Sequence, residues 1–216
     1  MALSADGKLI KEFLAEEKLS HATSLQPLID GLFSQENLNP NDLSAVAVSM
    51  GPGSYTGLRI GLSTAKAMAY AQNIPLIGVS SLRSAAFGAG QIIKISQGDI
   101  LMPVIDARRM EVYTMLFDSE MNELQEASAI IMDEDSLNEI DAKRIIFSGN
   151  GASKLKELYQ YRNDIVFITD TVHLASNGIE ESWRKFNDKE FEDTAYCEPF
   201  YLKEFVPGIP KVKGLR

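Results

Sequence analysis

The sequence contains very few of the residues that metal sites and disulfides need. Among 216 residues there are one cysteine, Cys197, and two histidines, His21 and His173. A single cysteine cannot close an intramolecular disulfide or supply the paired Cys and His spacing of a zinc site. The histidines lie too far apart in sequence to place two imidazoles on one helical face. We therefore expect a protein of the reducing cytoplasm that binds no metal itself.

The sequence also lacks a basic excess and a long apolar run. Its 21 basic and 30 acidic residues give a net charge of −9, whereas dedicated nucleic-acid binders use a basic footprint to displace counterions from phosphates. No signal-peptide pattern opens the sequence, and no window approaches the ~18 consecutive apolar residues of a membrane span. We therefore expect neither export nor membrane insertion. Any contact with RNA is expected to be indirect or local.

The residues that are present have the composition of an ordinary globular protein. Apolar residues make up 45% and charged residues 24%, which argues against disorder and low-complexity function. Short apolar runs alternate with helical patterns, as is typical of an α/β protein. Strands are predicted at residues 2–4, 8–14, 45–50, 74–79, 101–105, 111–117, 127–132, 144–148 and 165–169, and helices at 24–33, 58–71, 80–89, 152–160 and 175–186.

The chain restarts with new strands after residue 100, which predicts two domains, residues 1–100 and 101–216. The first predicted strand is only three residues long, too short for a complete sheet element, and this favours an upstream strand that is missing. In the first helix, Pro27 falls in the first turn, where proline is tolerated. The apolar stripe of that helix is formed by Leu25, Leu28, Ile29, Leu32 and Phe33.

The most informative segment of the sequence is a glycine-rich turn between a predicted buried strand and a predicted helix. It is formed by Gly51, Pro52, Gly53, Ser54 and Thr56. Backbone N–H groups at such a helix start can hold an anion. The spacing fits no nucleotide motif, because Leu58 stands where a P-loop needs lysine. A structural turn with positive φ is favoured over nucleotide binding.

Small residues recur every four positions along the following helix, at Gly57, Gly61, Ala65 and Ala69. Glycine costs about 1 kcal/mol in a helix interior, so a neighbouring backbone should lie close to Gly61. Two interpretations stay open with equal weight, namely packing against the domain's own sheet and a surface for self-association or a partner. Arg59 could anchor a partner carboxylate or be a solvated side chain.

The sequence gives little support for any catalytic residue. Asp106 ends a predicted strand beside Arg108 and Arg109, and a structural ion pair is favoured there over a catalytic acid. Ser54 is not in the GxSxG context of a hydrolase nucleophile. Gly149, Asn150 and Gly151 predict a second strand-to-helix turn.

The segment GPGSYTGLRIG, followed by STAKAMAYAQNIPLIGVSSL, resembles the signature of the TsaB family, also called YeaZ. PVIDARRMEVY, SGNGA and CEPFYLK extend the resemblance over nearly the whole chain. The resemblance implies two actin-like (ASKHA or ribonuclease H-like) lobes, each a mixed sheet with flanking helices. Family members open with a strand and an acidic residue followed by Thr-Ser, whereas this sequence starts after them, which puts nucleotide binding in doubt.

The same resemblance implies a dimerisation subunit without activity or cofactor of its own. Its partners would be a TsaD-like subunit, which transfers threonylcarbamoyl to the adenosine beside the tRNA anticodon, and a TsaE-like ATPase, with ATP and metal held by those partners. The chain alone would form a homodimer, and tRNA would be met only through the complex. The implied contact surface is the first two helices, with Leu25, Leu28, Ile29, Leu32, Gly57, Leu58, Arg59, Gly61, Leu62, Ala65 and Ala69 as candidates.

Two enzymatic functions are alternatives to the dimerisation subunit. A glycoprotease-like metallopeptidase needs a metal, or a nucleophile with its base, for which the sequence gives no support. A sugar-kinase-like phosphotransferase needs an intact phosphate loop and a catalytic aspartate, and the loop is missing.

Overall fold

The computed structural model describes residues 1–14, 21–169 and 174–203, with side chains from Leu25 onward in the first helix. The strands are β1 (Ala2–Ala5), β2 (Lys8–Glu12), β3 (Val46–Gly51), β4 (Leu76–Ser80), β5 (Asp99–Asp106), β6 (Glu111–Phe117), β7 (Glu123–Ile131), β8 (Arg144–Ser148) and β9 (Ile165–Ile168). The helices are α1 (His21–Glu36), α2 (Tyr55–Gln72), α3 (Ser81–Ile92), α4 (Ala152–Leu155) and α5 (Ile179–Asp188), with short 3-10 helices at Pro40–Asp42 and Ala175–Gly178.

These strands form three sheets. β1 and β2 make an antiparallel hairpin, whose turn residues Asp6 and Gly7 both have positive φ, as the two central residues of a tight hairpin require. β3 and β4 pair in parallel. The third sheet is mixed and has the order β7-β6-β5-β8-β9, with β5 parallel to β8 and antiparallel to β6. The predicted α/β class is confirmed.

The five-stranded sheet has an apolar core on each face. Alternate residues of β5 point to opposite faces, so that Met102 and Val104 join one core and Leu101 and Ile105 the other. Tyr159 and the α4 residue Leu155 complete the first core, while α3 completes the second. Because β5 is central and covered on both faces, its sequence is a nearly continuous apolar run.

The chain returns to the β3–β4 sheet after residue 178. The ammonium of Lys185 donates to the carbonyl of Gly78 at 2.7 Å, and the Glu192 N–H donates to the carbonyl of Leu76 at 2.8 Å. Lys185 of α5 and Glu192 after it therefore contact an element that precedes residue 100, although sequence alone grouped them with the second domain. The division at residue 100 itself stays a prediction.

Three element predictions were wrong in detail. α1 begins at His21, so Pro27 lies inside the helix and not in its first turn. The helix predicted at 152–160 is α-helical only to Leu155 and continues as hydrogen-bonded turns. The helix predicted at 175–186 is divided at Gly178, where a Cβ would lie 3.4 Å from Ser84 Oγ, because α3 approaches closely. No helix in the described ranges is long and apolar enough to cross a membrane.

Candidate partner-binding surface on helix α2

The glycine-rich turn before α2 begins with two buried residues, Gly51 and Pro52. Gly51 has a φ of +113°, and a Cβ there would lie 2.8 Å from the carbonyl oxygen of Phe200. The Phe200 N–H donates to the carbonyl of Met50 at 2.7 Å, so the chain near its C-terminal end lies directly against the turn. An anion at Gly51 would meet the negative end of the Phe200 carbonyl dipole. These contacts support the structural interpretation of the turn.

Ser54 supplies the helix cap. Its Oγ accepts a hydrogen bond from the Gly57 N–H at 3.3 Å, which satisfies one of the N–H groups that have no partner within the helix. The Gly51–Pro52 peptide is cis. Gly53 has no positive φ, and Thr56 is exposed on the first turn of α2.

The small-residue side of α2 faces the protein's own sheet. Ala65 and Ala69 are buried in a core with Leu62 and Leu76, and a Cβ at Gly61 would lie 3.8 Å from Val48 Cγ2. The first of the two interpretations therefore holds for this side. Six of the predicted interface residues are buried in the described structure, namely Ile29, Leu32, Leu58, Leu62, Ala65 and Ala69, and their assignment to an interface stays a prediction.

A different side of α2 is exposed. Of the other predicted interface residues, Arg59 is exposed and the rest are half-buried, namely Leu25, Leu28, Gly57 and Gly61. The outer face of α2, as we name it, is formed by Thr56, Arg59, Ser63, Ala67 and Tyr70. It is lined by small residues between Arg59 and Tyr70, and Tyr70 is 83% exposed. Sequence reasoning missed Ser63 and Ala67, although the leucines Leu58 and Leu62 beside the glycines indicate which side is buried.

One edge of α2 is covered by residues 193–203, which we call the C-terminal strap. The ammonium of Lys66 donates to the carbonyl of Ala195 at 3.3 Å. Cys197 packs against the core formed by Leu62, Ala65, Ala69 and Leu76, and burial raises the pKa of its thiol. α1 also contacts α2. The outer face of α2 is thus exposed in the part of the chain that the structure describes.

Arg59 is held in place by two tyrosines. Its Nε donates to the hydroxyl of Tyr201 at 3.1 Å, and its guanidinium carbon lies 4.3 Å from the ring centroid of Tyr55. The rings of Tyr55 and Tyr201 are 4.9 Å apart. The hydrogen bond that Arg59 donates to Tyr201 raises the pKa of Arg59 further above its usual value. The C-terminal strap therefore fixes the one predicted interface residue that is exposed.

Asp106 is part of an ion pair. Its Oδ1 accepts from the ammonium of Lys154 at 2.5 Å and from the Arg108 N–H at 2.8 Å, while its own N–H donates to Asn150 Oδ1 at 2.9 Å. The bond from Lys154 holds the pKa of Asp106 below its usual range, so the carboxylate is ionised near neutral pH. This supports the structural interpretation.

The second predicted glycine turn has the expected geometry. Gly149 has a φ of +99°, and the Gly151 N–H donates to the carbonyl of Val104 at 3.0 Å. Within residues 1–14, 21–169 and 174–203, no three His, Cys, Asp or Glu side chains are grouped so that they could hold a metal. His173 and the side chain of His21 lie outside what the structure describes.

Comparisons with known proteins place this architecture in a family. Residues 12–196 match the family model TsaD, described as tRNA N6-adenosine threonylcarbamoyltransferase. The Bacillus subtilis tRNA threonylcarbamoyladenosine biosynthesis protein TsaB is 31% identical over 164 residues, which is 74% of this chain and 69% of that protein. The Escherichia coli protein of the same name is 31% identical over 117 residues, which is 53% of this chain and 49% of that one.

The solved structure of YeaZ from Pseudomonas aeruginosa has the same fold. It matches with a TM-score of 0.79 at 22% identity, over 93% of this chain and 92% of that chain. The actin-like α/β fold expected from the sequence is thereby confirmed. Because the family model spans most of the chain, and because the B. subtilis relative is 31% identical over more than two thirds of its length, the chain belongs to the TsaB (YeaZ) family.

Proposed function

We propose that this chain is a non-catalytic subunit in the biosynthesis of threonylcarbamoyladenosine in tRNA, and that it binds a TsaD-like catalytic subunit. The names of its relatives from Bacillus subtilis and Escherichia coli assign those proteins to that biosynthesis. The observation that carries the proposal is the outer face of α2, a long exposed helix surface of mostly small side chains. Small side chains let a second helix approach closely.

The two cores and the ion pairs support a scaffold role more than a catalytic one. The strand-end carboxylate Asp106 is already bound by Lys154, and the glycine-rich turn is covered by Phe200. A peptidase or a phosphotransferase would need an accessible acid, nucleophile or phosphate loop. Proteolysis or ATP turnover by the isolated chain would favour these alternatives.

The remaining parts of the proposal follow from the family. The catalytic metal and the ATP belong to the TsaD-like and TsaE-like partners, and this chain holds neither. Alone, the chain forms a homodimer through the same outer face of α2, which the TsaD-like subunit then occupies. Contact with tRNA occurs only in the complex, in the cytoplasm.

The test is heterodimer formation with the cognate TsaD-like subunit, measured by isothermal titration calorimetry. Ser63→Arg places a large charged side chain on the outer face of α2, and we expect it to weaken the heterodimer by about tenfold or more without lowering the melting temperature. The matched control is Ser153→Arg, an exposed serine on α4, which should leave the affinity unchanged.

Equal affinities of the two variants would contradict this surface as the interface, and failure of the unmodified chain to bind would contradict the proposed function. Gly61→Leu is unsuitable for this test, because a larger side chain at Gly61 meets Val48 in the protein's own core. Loss of binding could then result from misfolding.

A further inference from the structure

Arg59 differs from most arginines of the described chain in having no acidic partner. Four others form ion pairs with carboxylates, namely Arg83, Arg144, Arg162 and Arg184. No carboxylate among the described residues lies within 4.0 Å of Arg59. Glu198 of the C-terminal strap acts on it only through the weaker, longer-range charge interaction. Among the residues that the structure describes, this cation therefore has no carboxylate in contact with it, and another molecule could supply one.

The Arg59 side chain is already ordered for binding. A guanidinium has five N–H donors in a planar fork, and within the described part of the chain Arg59 uses one of them, its Nε donor, which bonds to Tyr201. Stacking on Tyr55 fixes the plane of the fork. Ordering a free arginine on binding costs side-chain entropy. Because Arg59 is already ordered in the folded chain, less side-chain entropy is lost when it binds. Within the described ranges Arg108 and Arg109 also form no ion pair, and neither side chain stacks on a ring or donates to a hydroxyl there.

The position of Arg59 points to a protein ligand. It lies one turn before Ser63 on the outer face of α2, so a helix resting on Thr56 and Ser63 would bring its own side chains beside the guanidinium. Two parallel N–H donors match the two oxygens of a carboxylate. An extended polyanion such as RNA is disfavoured, because the adjacent strap carries Asp193 and Glu198 and the whole chain has a net charge of −9.

We infer that Arg59 binds an Asp or Glu carboxylate of the TsaD-like partner, and that Tyr55 and Tyr201 position it for that contact. The inference rests on the proposed function. It assigns a role to the C-terminal strap as well, since Tyr201 belongs to a segment separated from Arg59 by 142 positions in sequence.

The test measures the dissociation constant of the heterodimer at low and at high salt. We expect Arg59→Ala to weaken binding by about tenfold or more, with a smaller loss at high salt, because the lost contact is ionic. Arg59→Lys should lose nearly as much, since lysine cannot bind a carboxylate with a planar fork. Arg109→Ala, which removes an exposed charge elsewhere, should change the affinity by about twofold or less.

Two further measurements separate this contact from other roles. Tyr201→Phe keeps the positive charge but removes the hydroxyl, so it should cost less affinity than Arg59→Ala. A scan of acidic residues of the partner to their amides should find one variant whose loss is not additive with Arg59→Ala.

Several outcomes would overturn the inference. The inference would be overturned if the unmodified chain binds the partner and the affinity of Arg59→Ala is within twofold of that of the unmodified chain. It would also be overturned if Arg59→Ala and Tyr201→Phe lose the same affinity and both have a lowered melting temperature. Arg59 would then only hold the C-terminal strap in place. Reduced affinity of the isolated chain for tRNA with unchanged partner affinity would assign Arg59 to a phosphate. If the unmodified chain does not bind the partner at all, the proposed function is contradicted, and the inference that rests on it is contradicted as well.

Discussion

Asp99 at the start of β5 accepts two hydrogen bonds from the guanidinium of Arg144 at the start of β8, with Nε and Oδ1 3.0 Å apart. The Ser96 N–H adds a third, at 2.8 Å. The side chain of Asp99 is fully buried, whereas that of Arg144 is 35% exposed. This asymmetry between the two partners determines what each substitution should do to stability.

Removing Arg144 should cost more free energy of unfolding than neutralising Asp99. Arg144→Ala leaves a buried carboxylate without its partner, which typically costs about 3–5 kcal/mol. Asp99→Asn leaves the half-exposed Arg144 able to contact water, so a smaller loss is expected. Urea unfolding at neutral pH measures both. The control is Arg162→Ala, which breaks the more exposed pair with Asp164 and should cost at most about 1 kcal/mol.

The Asp99 contribution should depend on pH in acid. The bond from Arg144 lowers the pKa of Asp99 in the folded state, so its stabilisation is complete above the unfolded value of about 3.9 and is lost as the pH falls through the folded value. The difference in unfolding free energy between the unmodified chain and Asp99→Asn should therefore shrink below about pH 4. A difference that stays constant from pH 7 to pH 3 would contradict this account.

Two glycines should respond oppositely to alanine. A Cβ at Gly151 would lie 3.0 Å from the carbonyl oxygen of Val104 and 3.2 Å from the Asp106 nitrogen, and neither backbone atom can move easily. Gly151→Ala should destabilise by about 1–3 kcal/mol. Gly61→Ala makes only an ordinary contact with Val48 and gains helix propensity, so it should stabilise by up to about 1 kcal/mol. Thermal unfolding of both variants shows whether the signs differ.

Glu181 should be a stabilising residue of α3 although it lies on α5. Its carboxylate accepts from the Ser80 N–H at 3.2 Å at the N-terminal end of α3, and it pairs with Lys185 at 3.3 Å. A negative charge near a helix N-terminus is favourable. Glu181→Gln should therefore lower stability by about 1 kcal/mol. The exposed neighbour Glu180 provides the control, because Glu180→Gln should have almost no effect.

Cys197 should react slowly with alkylating reagents in the folded protein. Burial raises the pKa of its thiol, so less of the nucleophilic thiolate is present near neutral pH. As the chain has one cysteine, mass spectrometry of iodoacetamide-treated protein measures a single adduct. The rate should rise strongly in urea, and equal rates in the folded and unfolded states would show that the C-terminal strap does not protect this residue.

The local chemistry of several segments could be predicted from sequence because it depends on adjacent residues. The turn at Gly51 needs a φ that glycine adopts easily, and the apolar run of β5 needs burial on both faces. The outcome at Asp106 was also foreseeable, since a strand-end carboxylate beside basic residues tends to form an ion pair. Its partner was not, because Lys154 is 48 positions away.

The sequence placed much of the candidate interface on the small-residue side of α2, which the structure buries, and the interface itself stays a prediction. Small residues occur at helical spacing on two sides of α2, with Gly61, Ala65 and Ala69 on one and Ser63 and Ala67 on the other. Periodicity alone cannot distinguish them. The sheet decides, because Val48 and Leu76 occupy one side and leave the other exposed.

The sequence by itself determined the α/β alternation, the glycine turns and the family, because each is encoded in residues that are neighbours along the chain. Only the tertiary structure decided which face of α2 stays exposed and what holds Arg59. Those features depend on Tyr201 and the rest of the C-terminal strap returning across more than a hundred residues to α2. Such contacts form when distant segments bury their apolar surface together, and no local pattern records them.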